Sequence, residues 1–116
     1  MSSRFNPAPL LEEYGDAALV RELAQLFIDS ASSQMDAVTA AAARGDRPAV
    51  KAAAHRLRGA LATFGATSAT QLSQRLELMG EAGNLEGATE IAGELAAEVR
   101  DLCAGAAAWL SGQAIA

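Results

Sequence analysis

Histidine occurs once in the 116-residue chain, as His55 within Ala53-Ala54-His55-Arg56-Leu57-Arg58-Gly59-Ala60-Leu61-Ala62-Thr63-Phe64-Gly65. Imidazole offers a free lone pair near neutral pH, and a lone pair among cations can act as a nucleophile that then holds negative charge. The cations are present locally. Five of the nine Lys and Arg residues fall between Arg44 and Arg58, with Asp46 as the one acid in that window.

Helical spacing decides which neighbours share a face with the ring. At roughly 100° per residue, Val50, Ala54, Leu57, Leu61 and Phe64 gather in one sector, and His55 points roughly 140° from its centre. The expectation is therefore an exposed histidine. On its outer face lie Pro48, Lys51, Ala52, Arg58, Gly59 and Ala62, spaced for helical contact. Lys51 and Arg58 stand one turn either side and can offset charge placed on the ring, with Arg56 next to it in the chain. Ala52, Gly59 and Ala62 leave the face nearly bare, so another protein's backbone can approach. A glycine inside a helix lowers stability, and steric access is one physical reason to keep it.

The elements that must hold this face are helical. Apolar residues make up 51% of the chain, aromatics only 4%, and there are three prolines, a balance that favours closely packed helices and disfavours a β-sandwich. A short first helix runs from Asn6-Pro7 to Tyr14, with Gly15 as its stop. Asp16 caps a long second helix to about Arg44, whose expected buried stripe is Leu19, Leu23, Leu26, Phe27, Ser30, Ala31, Gln34, Val38 and Ala41. Gly45 ends it. Asp46 then caps the histidine helix, about Pro48 to Phe64, with Pro48 in its first turn.

Ser68-Ala69-Thr70-Gln71 has the capping-box pattern for a fourth helix through Leu72, Leu76 and Met79, closed by Gly80 and Gly83. Asn84 is expected to cap a last helix with a seam of Leu85, Ala88, Ile91, Leu95, Val99, Leu102, Ala106 and Trp109. Close helix approach is the expected reason for Gly87, Gly93 and Gly105, and the tail from Ser111 to Ala116 is expected to fray. The expected fold is all-α: one domain over residues 1–116, an antiparallel four-helix bundle with an additional short N-terminal helix.

Other properties narrow the function. The net charge of −5 opposes nucleic-acid binding, which requires a basic footprint. The chain lacks eighteen consecutive apolar residues, so no membrane insertion is expected, and the N-terminus lacks the apolar core of a signal peptide. One cysteine, Cys103, forms no internal disulfide and suits a reducing cytoplasm; it and Trp109 read as packing residues.

His55-Arg56-Leu57-Arg58-Gly59-Ala60, followed by Phe64-Gly65-Ala66 and then Leu72, Leu76 and Glu77, resembles the histidine-containing phosphotransfer (HPt) domain family. The family pattern is His-x-Leu-Lys-Gly-Ser, a Gly-Ala, and a Leu-Glu pair in the next helix. The resemblance implies a phosphorelay carrier without kinase machinery. His55 would accept a phosphoryl group from a receiver-domain aspartate and pass it to another receiver. Arg58 would take the place of the family lysine, and Gly59 would clear the docking surface. Glu77, at the Leu-Glu position, would orient the ring. Expected partners are response-regulator receiver domains and the receiver of a hybrid histidine kinase, with magnesium supplied by the receiver and no cofactor or metal of its own. A cytoplasmic monomer is expected.

Arg58 departs from the family lysine, and Ala60 and Leu61 stand where serines are common. Those departures motivate an alternative, a pseudo-HPt module that docks a receiver or a regulated enzyme without carrying phosphate. A di-metal bundle is a poor fit, because it needs several inward carboxylates and two Glu-x-x-His pairs.

Overall fold

The computed structural model describes residues 4–112. Its helices are α1 (Ala8–Tyr14), α2 (Ala17–Arg44), α3 (Arg47–Thr63), α4 (Thr67–Ala82) and α5 (Ala88–Leu110), and no strand occurs among the described residues. Helices α2 to α5 form the antiparallel four-helix bundle. Each packs on its successor, α5 closes on α2, and α1 lies against α2. The long dimension of 44 Å is essentially the length of α2, whose 28 residues span about 42 Å at helical rise. No helix among the described residues is long and apolar enough to cross a membrane.

The turn that sets α3 beside α2 is built as the residues suggest. The Asp16 carboxylate accepts from the Ala18 and Leu19 amides at the start of α2. Gly45 takes the left-handed conformation at its end, with φ of 66°. The Asp46 carboxylate then accepts from the Ala49 amide, with Pro48 in the first turn of α3. Each cap satisfies amides that the helix itself leaves open.

Further along the chain, several expected signals do different work. Helix α4 starts at Thr67 after Ala66, without a side-chain cap. Ser68 makes no capping box; its hydroxyl donates to the Glu98 carboxylate on α5 at 2.9 Å. Gly80 lies inside α4, which continues to Ala82 and stops at Gly83. The Asn84 side chain accepts from the Glu86 amide within the loop, and α5 begins only at Ala88, after Gly87 at φ of 83°. Gly105 is a close approach, though not of a helix: a Cβ there would stand 2.9 Å from the Phe5 Cβ. Nothing in the structure accounts for Gly93. Ser111 and Gly112 form a turn, and the remaining tail residues, 113–116, lie outside the described residues.

Phe5 closes one end of the bundle, its ring 5.5 Å from that of Phe64 and 5.8 Å from that of Trp109. Phe64 meets Phe27 at 5.3 Å, so this cluster joins the N-terminal segment to α2, α3 and α5. The inner face of α3 is as expected: Val50, Ala54, Leu57, Leu61 and Phe64 are all buried.

The buried stripe of α2 differs from the expected one. It runs through Val20, Ala24, Phe27, Ala31, Met35, Val38, Ala41 and Ala42, while Leu19 and Leu26 are exposed, Leu26 by 63%. The two stripes share Phe27, Ala31, Val38 and Ala41, which are buried as expected, but the helix is turned by about one residue so that Val20, Ala24 and Met35 complete the inner face. Leu61→Ala is therefore expected to destabilise the bundle by about 2–5 kcal/mol. Leu26→Ala should stay within about 0.5 kcal/mol of wild type. Chemical denaturation of the two variants measures the contrast.

Candidate functional site

His55 projects from the outer face of α3 towards α4, where Glu77 holds its ring and Arg58 holds Glu77. The His55 Nδ1 lies 2.7 Å from the Glu77 Oε1 on α4. The Arg58 Nε donates to the other carboxylate oxygen, Oε2, at 2.8 Å. The Arg58 Nη2 also lies 3.2 Å from the His55 Nδ1. These contacts select a tautomer. A carboxylate at 2.7 Å is favourable to a nitrogen that carries a proton and repulsive to one that presents a lone pair. Nδ1 therefore donates to Glu77, and its approach to the guanidinium is proximity between two donors. The neutral ring then carries its lone pair on Nε2, which has no protein partner among the described residues.

Exposure is divided to match. The His55 side chain is 65% exposed and the Glu77 side chain only 15%. The ring is open to solvent, while the carboxylate that holds it is sheltered between helices. Partial burial pushes the Glu77 carboxyl up. The hydrogen bonds from His55 and Arg58, with the charge of the guanidinium, outweigh that push and hold it below its ordinary value of 4.5.

The basic island is less bare than its sequence suggests, because α4 faces it with acids. Besides the Arg58 contact to Glu77, Lys51 lies 3.8 Å from Glu81, and Arg44 pairs with Asp46 at 3.6 Å. The Lys51 and Arg44 pairs are exposed, so each contributes little to stability and leaves its cation available. Lys51, Ala52, His55, Glu77 and Pro48 line a shallow depression of about 350 Å³ beside the ring. Gly59 and Ala62 are exposed on the same helix, and a Cβ at Gly59 would meet nothing within 4 Å. The bundle itself thus does not require glycine at 59. Arg56 is exposed and forms no hydrogen bond or ion pair with these residues.

The two serine-to-apolar departures fall away from the ring. Leu61 is fully buried. Ala60 is half-buried and lines a groove with Leu23, Leu26, Phe27, Ser30, Thr63 and Phe64, between α2 and α3. A hydroxyl at either position would face the bundle or that groove, so neither departure strips the imidazole of a partner. Among the described residues there is no group of three or more His, Cys, Asp or Glu side chains that could hold a metal ion. The chemistry the site offers is nucleophilic, from Nε2 backed by a carboxylate on Nδ1.

A lowered carboxyl pKa has a definite sign in stability. The Glu77 contribution is complete above its ordinary value of 4.5 and is lost as pH falls through the lower folded value. Glu77→Gln should therefore lose less stability than wild type between about pH 5 and pH 3. Denaturation midpoints across that range give the comparison.

Comparison with known protein families matches residues 22–109, about three quarters of the chain, to the Hpt domain. No curated protein and no solved structure shows a significant match. The match covers α2 from its second turn through α5 to Trp109, and so includes the whole His55–Glu77–Arg58 arrangement. Hpt domains are phosphoryl carriers of two-component signalling that interact with receiver domains, and this chain belongs to the Hpt domain family.

Proposed function

We propose that the protein is a histidine phosphotransfer carrier whose phosphoacceptor is the Nε2 of His55. It takes the phosphoryl group from a receiver-domain aspartate and relays it to a second receiver. The observation that carries this reading is the 2.7 Å contact between the His55 Nδ1 and the Glu77 carboxylate on an otherwise exposed ring.

The transfer balances without an added proton carrier. The Nε2 lone pair attacks the phosphorus of the receiver's aspartyl phosphate. The N–P bond forms, the P–O bond to the aspartyl group breaks, and the carboxylate departs with its electron pair. The ring gains positive charge because Nδ1 keeps its proton. Glu77, already accepting from Nδ1, stabilises that charge as it develops and keeps the ring in the reactive tautomer, a positioning role like that of a carboxylate behind a catalytic histidine. Transfer to the second receiver reverses these steps.

Arg58 holds the second oxygen of Glu77, and its remaining N–H groups stand at the edge of the ring. Lys51 supplies a further cation one turn away. Ala52, Gly59 and Ala62 form the low surface over which a receiver approaches, with Arg56 at its margin. Magnesium and the reacting aspartate belong to the receiver, so this chain contributes the nucleophile and the docking face.

Incubation with a phosphorylated receiver is expected to give an acid-labile, base-stable phosphate on wild-type protein and none on His55→Gln. Equal labelling of His55→Gln would defeat the proposal. Arg58→Ala is expected to slow transfer roughly tenfold, equivalent to about 1.4 kcal/mol of transition-state stabilisation. Its cost in stability should be no more than about 1 kcal/mol. Unchanged transfer rates in Arg58→Ala would remove Arg58 from the electrostatic role.

A further inference from the structure

Gly80 is buried on the side of α4 that crosses the first turn of α3. A Cβ there would stand 2.8 Å from the Arg47 carbonyl oxygen, 2.8 Å from the Lys51 nitrogen and 3.1 Å from the Lys51 Cα. The first two atoms are the acceptor and donor of one helical hydrogen bond, four residues apart. Helix α4 therefore rests its bare backbone on the backbone of α3, and no flexible side chain can swing aside to admit a methyl group. Relief from 2.8 Å to an ordinary contact of 3.4 Å requires the helices to part locally by about 0.6 Å.

That contact is one turn from the reactive ring on both helices. Gly80 follows Glu77 by three residues, and Lys51 precedes His55 by four. A retreat of about 0.6 Å carried to Glu77 would stretch its 2.7 Å contact with the His55 Nδ1 to about 3.3 Å. At that length, beyond the usual range of an N–H···O contact, the hydrogen bond that selects the Nδ1–H tautomer is markedly weakened.

We infer that Gly80 is a positioning residue of the phosphoacceptor site: its missing side chain lets α4 lie directly on the Arg47–Lys51 turn and so sets the Glu77 carboxylate at hydrogen-bonding distance from His55. The inference rests on His55 being the phosphoacceptor, but its geometric content stands apart from phosphate transfer and is tested separately.

The readout is the tautomer of His55, followed by ¹⁵N NMR of the ring, together with the rate of transfer from a phosphorylated receiver. In Gly80→Ala the ring should shift from Nδ1–H towards a mixture of tautomers. Transfer should slow roughly tenfold, short of the hundredfold that a 1 Å misplacement can cause. Leu95→Ala, which opens the core on α5 away from α3, should lower the denaturation midpoint yet keep the wild-type tautomer and rate. A Gly80→Ala protein that folds and retains the wild-type tautomer overturns the inference. Should Gly80→Ala not fold, Glu77→Asp withdraws the carboxylate by one methylene without touching the helix contact. It should reproduce the tautomer shift, and an unshifted ring in that variant likewise overturns the inference. If the wild-type protein accepts no phosphate, the carrier reading fails while the ring spectrum still decides the role of Gly80.

Discussion

One carboxylate joins the two helices on which the site depends. Glu77 reaches from α4 to α3 and accepts from both the imidazole of His55 and the guanidinium of Arg58, at 2.7 and 2.8 Å. Charge-assisted contacts of this length are strong when the acceptor is sheltered, and Glu77 is the sheltered member of the three. An exposed histidine without such a partner samples rotamers and both tautomers. With it, the ring is held by one nitrogen and offered by the other.

The bundle supplies the stiffness behind that carboxylate. Helix α3 is divided between two roles. One side is Val50, Ala54, Leu57 and Leu61, each fully buried; the other is a low, open surface of Ala52, Gly59 and Ala62 around His55. The buried side fixes rotation of the helix, so the direction of the ring follows from the core. Helix α4 is then brought close enough to contribute by a residue without a side chain. The Arg47 guanidinium reinforces the same joint by donating to the Gly83 carbonyl at the end of α4. Stability and chemistry thus share one interface between two neighbouring helices.

Much of this was legible in the order of residues. The helix count, the caps at Asp16 and Asp46, and the inner face of α3 follow from periodicity and from side chains that satisfy open amides. The exposure of His55 follows from its angle to Val50, Leu57 and Leu61. Elsewhere local signals misled for identifiable reasons. Ser68 has the spacing of a capping box, but a buried carboxylate on α5, Glu98, is a better partner for its hydroxyl. Leu19 and Leu26 are the more apolar choice for the inner stripe of α2, but the helix turns Val20 and Ala24 inward instead. Gly80 reads as a stop, because glycine commonly ends helices, and its actual use is visible only against another backbone.

Which residues are helical, which side of α3 faces inward and that His55 is exposed could be read from the order of residues, because these depend on contacts within a turn or two of chain. Only the packing of the helices sets how the imidazole is oriented. The carboxylate on Nδ1 comes from 22 residues away, and its distance is set by the crossing of α4 over Arg47 and Lys51. Periodicity ranks the faces of one helix, but the separation between two helices depends on the side chains at their crossing, and a hydrogen bond is sensitive to tenths of an ångström in that separation.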